Sequence, residues 1–185
     1  VDLPNYSVKL WSKFGSVFYK KAKLSAAGIP VIAILHGFST AGGAYQIGMS
    51  DYVFGVKGNG MAALAGSALL RAATGENASN SDIGGVEMHS VVTGSVEYLV
   101  NDDAESIITV RKLIDQLNWN ENDAQKTTLN FEDPEYPIED LVGIVPTDYS
   151  KGYDVREVIA RLVDQSVFIE LKPKYGISMV CAQAK

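Results

Sequence analysis

Apolar residues return at roughly helical spacing over positions 9–26, as Leu10, Trp11, Phe14, Val17, Phe18, Ala22 and Leu24. They predict an amphipathic helix that stops at Gly28-Ile29-Pro30. The run "VIAIL" that follows is too short for a helix and rich in β-branched residues, so it reads as a buried strand. "AGGAYQIGM" can open a short helix capped by Ser39 or Thr40, and "DYVFGVKG" reads as a second strand. Met61, Leu64, Ala65, Ala68, Leu69 and Ala72 predict a loop and then a helix ending near Gly75. Positions 81–100 hold too many glycines for one long helix and are expected to wind between short elements.

"DDAESIITVRKLIDQLN" is the clearest helix, capped by Asp102 or Asp103, with Ile107, Val110, Ile114 and Leu117 as its expected buried stripe. Over 119–152 the pattern is lost; Pro134, Pro137 and Pro146 among many acidic residues predict a loop or linker. "YDVREVIARLVDQ" restores a short helix with Asp154 as its cap, and "YGISMVCAQ" closes as a strand. Strands alternating with helices make this an α/β chain without an internal sequence repeat.

Composition narrows the picture. The 185 residues are 46% apolar and 21% charged, ordinary for a globular domain. A net charge of −6 argues against a general nucleic-acid binder, although a few local cations suffice for a phosphate-bearing small ligand. Cys181 is the only cysteine, which excludes an intrachain disulfide and a cysteine metal site and makes a reducing compartment the default. The longest apolar run, 29–35, is too short to span a bilayer. The opening "VDLPNYS" lacks a methionine, so the sequence is expected to begin inside a longer protein.

The candidate chemistry lies in "VIAILHGFSTAGGAYQIGMSD". Two glycines at a helix start, fed by a buried strand, suit an oxyanion hole, because backbone N–H groups and the helix dipole converge there. The same glycines would serve a tight strand-to-helix crossing, and the local pattern leaves both readings open. A nucleophile–base arrangement of Ser39, His89 and Asp82 is the rival, but the Gly37–Ala41 stretch lacks the G-x-S-x-G elbow. Asp102, Asp103 and Glu105 read as charges complementing a helix start rather than metal ligands. Lys57 and Arg71 are the cations nearest the glycine-rich segments, and Tyr45 and Tyr98 read as wall or core.

"GFSTAGGAYQIGMSD", "VKGNGMAALAGSALLRAATGE" and "DIGGVEMHSVVTGSVEYLVNDDAESI" occur in this order, followed by "YPIEDLVGIVP" and "YDVREVIARLVDQSVFIELKPKYG". Together they resemble the carboxyltransferase (beta) subunit of biotin-dependent acyl-CoA carboxylases, the propionyl-, methylcrotonyl- and geranyl-CoA group. The resemblance covers nearly the whole chain. It implies an α/β, crotonase-like fold of stacked ββα units winding in a spiral. Residues 1–130 would form part of the N-terminal acyl-CoA lobe, 131–152 a linker, and 153–185 the start of a C-terminal lobe. Gly42 and Gly43 would then donate N–H groups to the thioester oxygen. Ala41, Ala44, Tyr45, Gly66, Arg71, Gly84 and Gly85 would shape the CoA and acyl site, with no metal.

The resemblance further implies carboxybiotin on a separate carrier domain, whose freed ureido nitrogen takes the α-proton so that no side-chain base is needed. ATP and Mg²⁺ would act elsewhere in a holoenzyme that includes a biotin carboxylase and carrier subunit. The subunit would form a dimer-based hexamer, in the cytoplasm or the mitochondrial matrix. Two departures bear on the substrate: Ala65-Gly66-Ser67-Ala68 stands where the family often has G-G-P-P, and His36-Gly37-Phe38-Ser39 where many members have M-G-S-C. Family subunits are much longer, so this chain is expected to be a partial one. The alternatives are a biotin-dependent acyl-CoA decarboxylase subunit, a non-catalytic assembly partner and, remotely, a serine hydrolase.

Overall fold

The computed structural model describes residues 8–117 and 131–185. The side chains of Leu10 and Trp11, and the part of the 119–152 loop before residue 131, lie outside the described residues. The chain divides into two compact units, Val1–Ile108 and Thr109–Lys185.

In the first unit, helix α1 (Val8–Ala26) leads into strand β1 (Ile32–Leu35), strand β2 (Phe38–Thr40) and helix α2 (Gly42–Gly48). The same β-β-α order returns as β3 (Tyr52–Val56), β4 (Met61–Ala63) and α3 (Ser67–Thr74). Strand β5 (Tyr98–Val100) joins β1 and β3 in a parallel sheet of order β1-β3-β5, while β2 and β4 form a separate parallel pair. Two successive ββα turns thus build the unit without repeating any sequence. Leu35, Val53, Val86 and Val96 form the packed centre, with Ile47, Ala62 and Leu99 against it. Phe54 and Tyr98, opposite each other in register, stack at 4.4 Å.

Several expectations change on the molecule. Helix α1 does not turn its whole apolar stripe inward: Phe14, Val17 and Leu24 are exposed. Ser16, Phe18, Lys21 and Ser25 are the described positions drawn in, and Lys21 and Ser25 bond to the segment after α2. Strands β2 and β4 are elements that the periodicity did not show, because both are three residues long and β4 is mostly alanine. Between α3 and β5 the chain makes two short helices, α4 (Asn80–Gly84) and α5 (Val86–Met88), and one π turn, His89–Thr93.

Helix α6 (Asp103–Leu117) begins where expected, with the Asp102 carboxylate accepting from the Glu105 N–H at 2.7 Å. Its buried stripe is displaced, however. Ser106 and Leu113 are buried, with Val110 and Leu117 half-buried, whereas Ile107 and Ile114 are exposed. The positions 106, 110, 113 and 117 hold one helical face as well as the expected set does, and the hydroxyl of Ser106 is satisfied by the Asp103 carbonyl at 2.7 Å.

The second unit, by itself, contains helix α7 (Leu141–Ile144), helix α8 (Val155–Ile159) and the antiparallel pair β6 (Phe168–Leu171) and β7 (Cys181–Ala184). Asp154 caps α8 by accepting from the Arg156 N–H at 3.0 Å. The Arg156 guanidinium then grips the Glu170 carboxylate with two 2.7 Å bonds, fastening α8 to β6. Arg161, only 8% exposed, pairs with Glu157 and lies over the Tyr136 ring. Strand β7 is shorter than "YGISMVCAQ" suggests, since 175–179 belong to turns.

Candidate functional site

Strand β2 delivers the chain to α2 through Ala41, which caps the helix at φ +50° and ψ −119°. The expected caps Ser39 and Thr40 cannot serve, because they pair with Ala62 and Ala63 of β4. Alanine is rare in this conformation, which costs about 1–3 kcal/mol. The Ala41 N–H donates to the Ala63 carbonyl at 3.0 Å, holding the strained residue to the neighbouring strand. Tyr45 makes the first helical bond of α2, back to the Ala41 carbonyl at 3.3 Å. Gly42, Gly43 and Ala44 therefore supply the helix's opening N–H groups, and no side chain caps them among the described residues. This is an uncapped donor end.

Glycine at position 43 also has a packing reason. A Cβ there would meet the Ser39 hydroxyl at 2.7 Å, whereas one at Gly42 would touch Phe18 at an ordinary 3.9 Å. Close approach to β2 requires Gly43, and the backbone N–H groups remain at the helix start. The far end of α2 is held by Lys21 of α1, whose ammonium donates to the Gln46 carbonyl and, at 2.9 Å, to Ser50 Oγ. Burial lowers the Lys21 pKa, and the Asp51 carboxylate partly opposes that.

Beside α2 lies an apolar cavity of about 770 Å³. Ala44 and Tyr45 of its first turn reach the cavity, and Tyr45 is 55% exposed with its ring edge-on to Phe18. Leu64, Ala65 and Leu69, between β4 and α3, supply another wall, with Ile83 of α4 and Val96 beyond. His89 closes one side, projected by the π turn. Its Nε2–H donates to the Ala62 carbonyl at 2.7 Å, and Nδ1 lies 2.9 Å from the Thr93 hydroxyl.

The other sequence-predicted positions distribute as follows. Gly66 caps α3, with the Ser67 N–H donating to Asn80 Oδ1 at 2.9 Å. Arg71 is exposed on α3 and makes no ion pair among the described residues. Lys57 bonds to Asn101 at 2.6 Å. Gly84 is buried where a Cβ would fall 2.3 Å from the Ala62 carbonyl, and at Gly85 it would fall 2.7 Å from the Ser81 carbonyl. Both glycines let α4 pack closely.

No triad forms. The Asp82 carboxylate accepts from the N–H and hydroxyl of Ser79, which lower its pKa, and no hydrogen bond joins Ser39, His89 and Asp82 among the described residues.

The chain has counterparts among known proteins. The family model for the carboxyl transferase domain matches residues 7–185. This chain belongs to that family. It is 42% identical over 172 residues to the mitochondrial methylcrotonoyl-CoA carboxylase beta chain of Dictyostelium discoideum, covering 93% of this chain and 29% of that protein. It is 41% identical over 184 residues to a probable biotin-dependent acyl-coenzyme A carboxylase beta2 subunit of Mycobacterium tuberculosis, covering 100% of this chain and 34% of the other. Among solved structures, the transcarboxylase 12S hexamer with hydrolysed methylmalonyl-coenzyme A bound matches with a TM-score of 0.82 at 32% identity, over 95% of this chain and 34% of that one. The chain spans about a third of the length of the curated relatives it matches.

The crotonase-like α/β class expected from the sequence is borne out by this likeness. What the carboxyl transferase motifs did not reveal was the cavity. Its β4 wall hides in "MAALA", and His89 and Val96 reach it only through the π turn, which leaves no periodic signal. Among the described residues, no helix is long and apolar enough to cross a membrane.

Proposed function

We propose that the chain is part of the carboxyltransferase subunit of a biotin-dependent acyl-CoA carboxylase, and that it holds the acyl-CoA. The observation that supports this is the uncapped start of α2 lying beside an apolar cavity. An acyl thioester losing its α-proton gathers negative charge on its oxygen. The N–H groups of Gly42 and Gly43 would receive that oxygen, assisted by the positive end of the helix. Ala41 sets the direction of that first turn, and Ala44 and Tyr45 guide the acyl group from the donors into the cavity. Arg71, in the last turn of α3, offers a cation for a CoA phosphate. Gly84 and Gly85 act indirectly, by letting α4 close the cavity wall.

Carboxybiotin, when bound, supplies the carboxyl group. The cavity lining is hydrocarbon apart from Tyr45, His89 and Ser95, and both nitrogens of His89 are already engaged, a poor match for a ureido ring. The biotin group, its carrier, the biotin carboxylase with ATP and Mg²⁺, and the second lobe of the site are therefore assigned to other parts of the assembly, a dimer-based hexamer. Names of relatives place some such subunits in mitochondria, consistent with a matrix or cytoplasmic setting here.

The test uses the full-length subunit with a carboxylated biotin carrier and a panel of acyl-CoA esters, with products read by mass spectrometry. A carboxylated acyl-CoA product is expected. Carboxyl-group retention on the carrier in the presence of every ester overturns the reading.

A further inference from the structure

Resting on that reading, we infer that the acceptor carries an extended, purely hydrocarbon acyl chain, and that acyl groups with a carboxylate at their far end are refused. The cavity beside α2 holds about 770 Å³, the scale of a complete small-molecule site and far more than a two- or three-carbon acyl group fills. Its walls are hydrocarbon, with Leu35, Ile47, Leu64, Leu69, Ile83 and Val96 among them. A short chain would leave these walls in contact with water, without the dispersion contacts or dehydration that a longer chain supplies.

The polar lining points the same way. Tyr45, His89 and Ser95 are the lining side chains with polar groups, and no Lys or Arg is among them. Both His89 nitrogens have partners in Ala62 and Thr93, and the Ser95 hydroxyl accepts from Thr93 at 2.9 Å. A terminal carboxylate carried into this space would lose most of its hydration and meet no cation, only the Tyr45 and Ser95 hydroxyls, which is unfavourable for a full charge. The new carboxyl group is no obstacle, because it forms at the enolate carbon beside the start of α2 and not at the chain's far end.

The experiment measures dissociation constants by calorimetry for the full-length oligomer with saturated acyl-CoA esters of increasing length. Each longer ester is compared with its ω-carboxy counterpart. Carboxylation of a parallel set of α,β-unsaturated and saturated esters is followed separately. Binding should tighten by about fourfold per added methylene until the cavity is filled. The ω-carboxy esters should bind at least about 100-fold more weakly than hydrocarbon esters of equal length.

Ala65→Leu, which narrows the cavity, should move the optimum to shorter chains; Ala65→Val provides a milder step should the larger side chain impair folding. A flat length series, or equal binding of ω-carboxy esters, overturns the inference. The two readings fail separately. A length-dependent series with no carboxylation of any ester removes the carboxyltransferase assignment and keeps the hydrocarbon pocket. Carboxylation that favours acetyl- or propionyl-CoA does the reverse.

Discussion

At Gly43 two demands meet on one residue, and they can be separated by mutation. A Cβ there points back at the Ser39 hydroxyl rather than into open space. Gly43→Ala should therefore tilt the first turn of α2 and cost about 10²–10³ in turnover of the full-length enzyme, the scale of losing one oxyanion donor. Adding Ser39→Ala removes the clashing oxygen and should recover at least about tenfold of that loss, measured as kcat/KM in a double-mutant cycle. A double variant no better than Gly43→Ala would mean that the methyl group itself obstructs the thioester. Ala41 offers a complementary test: at its φ of +50° a β-branched side chain is poorly tolerated, so Ala41→Val should lower stability by about 1–3 kcal/mol in chemical denaturation. His89 is a different case. Its ring secures the Ala62 carbonyl, so His89→Ala should cost about 1–3 kcal/mol and loosen the cavity wall. It should not produce the collapse of kcat by several orders of magnitude expected for a general base, a distinction that pre-steady-state kinetics would read directly.

At the scale of elements, what the sequence made legible depended on length and on capping. Helices α1 and α6 and strands β1 and β3 announced themselves by periodicity or by a dense β-branched run. Strands β2, β4 and β6 did not: "FST", "MAA" and "FIEL" are too short or too poor in β-branched residues, and tertiary pairing decides them. The glycine pair was legible as a helix start, but the strained Ala41 cap was not, since nothing in an alanine advertises a positive φ. The side-chain caps Asp102 and Asp154 were readable because a carboxylate there has a definite backbone partner, whereas the Ser79–Asp82 capping box was not read. Asp82, Asp148 and Asp154 all have pKa values lowered by hydrogen bonds, to Ser79, Ser150 and Arg156 respectively. A carboxyl whose folded pKa lies below its unfolded value stabilises the fold above the unfolded value, near 4, and loses that contribution as the pH falls through the folded one. Melting temperature should therefore be level at neutral pH and decline below about pH 4. Asp154→Asn keeps a competent cap but cannot titrate, so part of that decline should disappear; an identical acid profile would remove Asp154 from the account.

On the scale of the whole molecule, the two units bury modest cores and expose much apolar surface. Leu64, Leu69, Val142, Ile177 and Met179 are each more than 60% exposed, and they come from both units. Exposure on this scale marks surfaces that associate, and the curated relatives matched here are about three times as long as this chain. The site argument leads to the same place. On the proposed reading, Gly42, Gly43 and the cavity serve the acyl thioester, and a lining that is almost wholly hydrocarbon matches a ureido ring poorly, so turnover should require surfaces that residues 1–185 do not supply. We expect these residues, expressed alone, to form polydisperse assemblies by light scattering and to show no measurable carboxyl transfer from a carboxylated carrier to any acyl-CoA. The full-length subunit should instead give one defined oligomer with activity. Substituting Leu64 and Leu69 by Ser in the isolated segment should reduce its association, if that cavity rim is one of the sticky surfaces. A monodisperse, active monomer of residues 1–185 would show that one lobe completes the site, and the division of labour between acyl-CoA and biotin sites argued above would have to be abandoned.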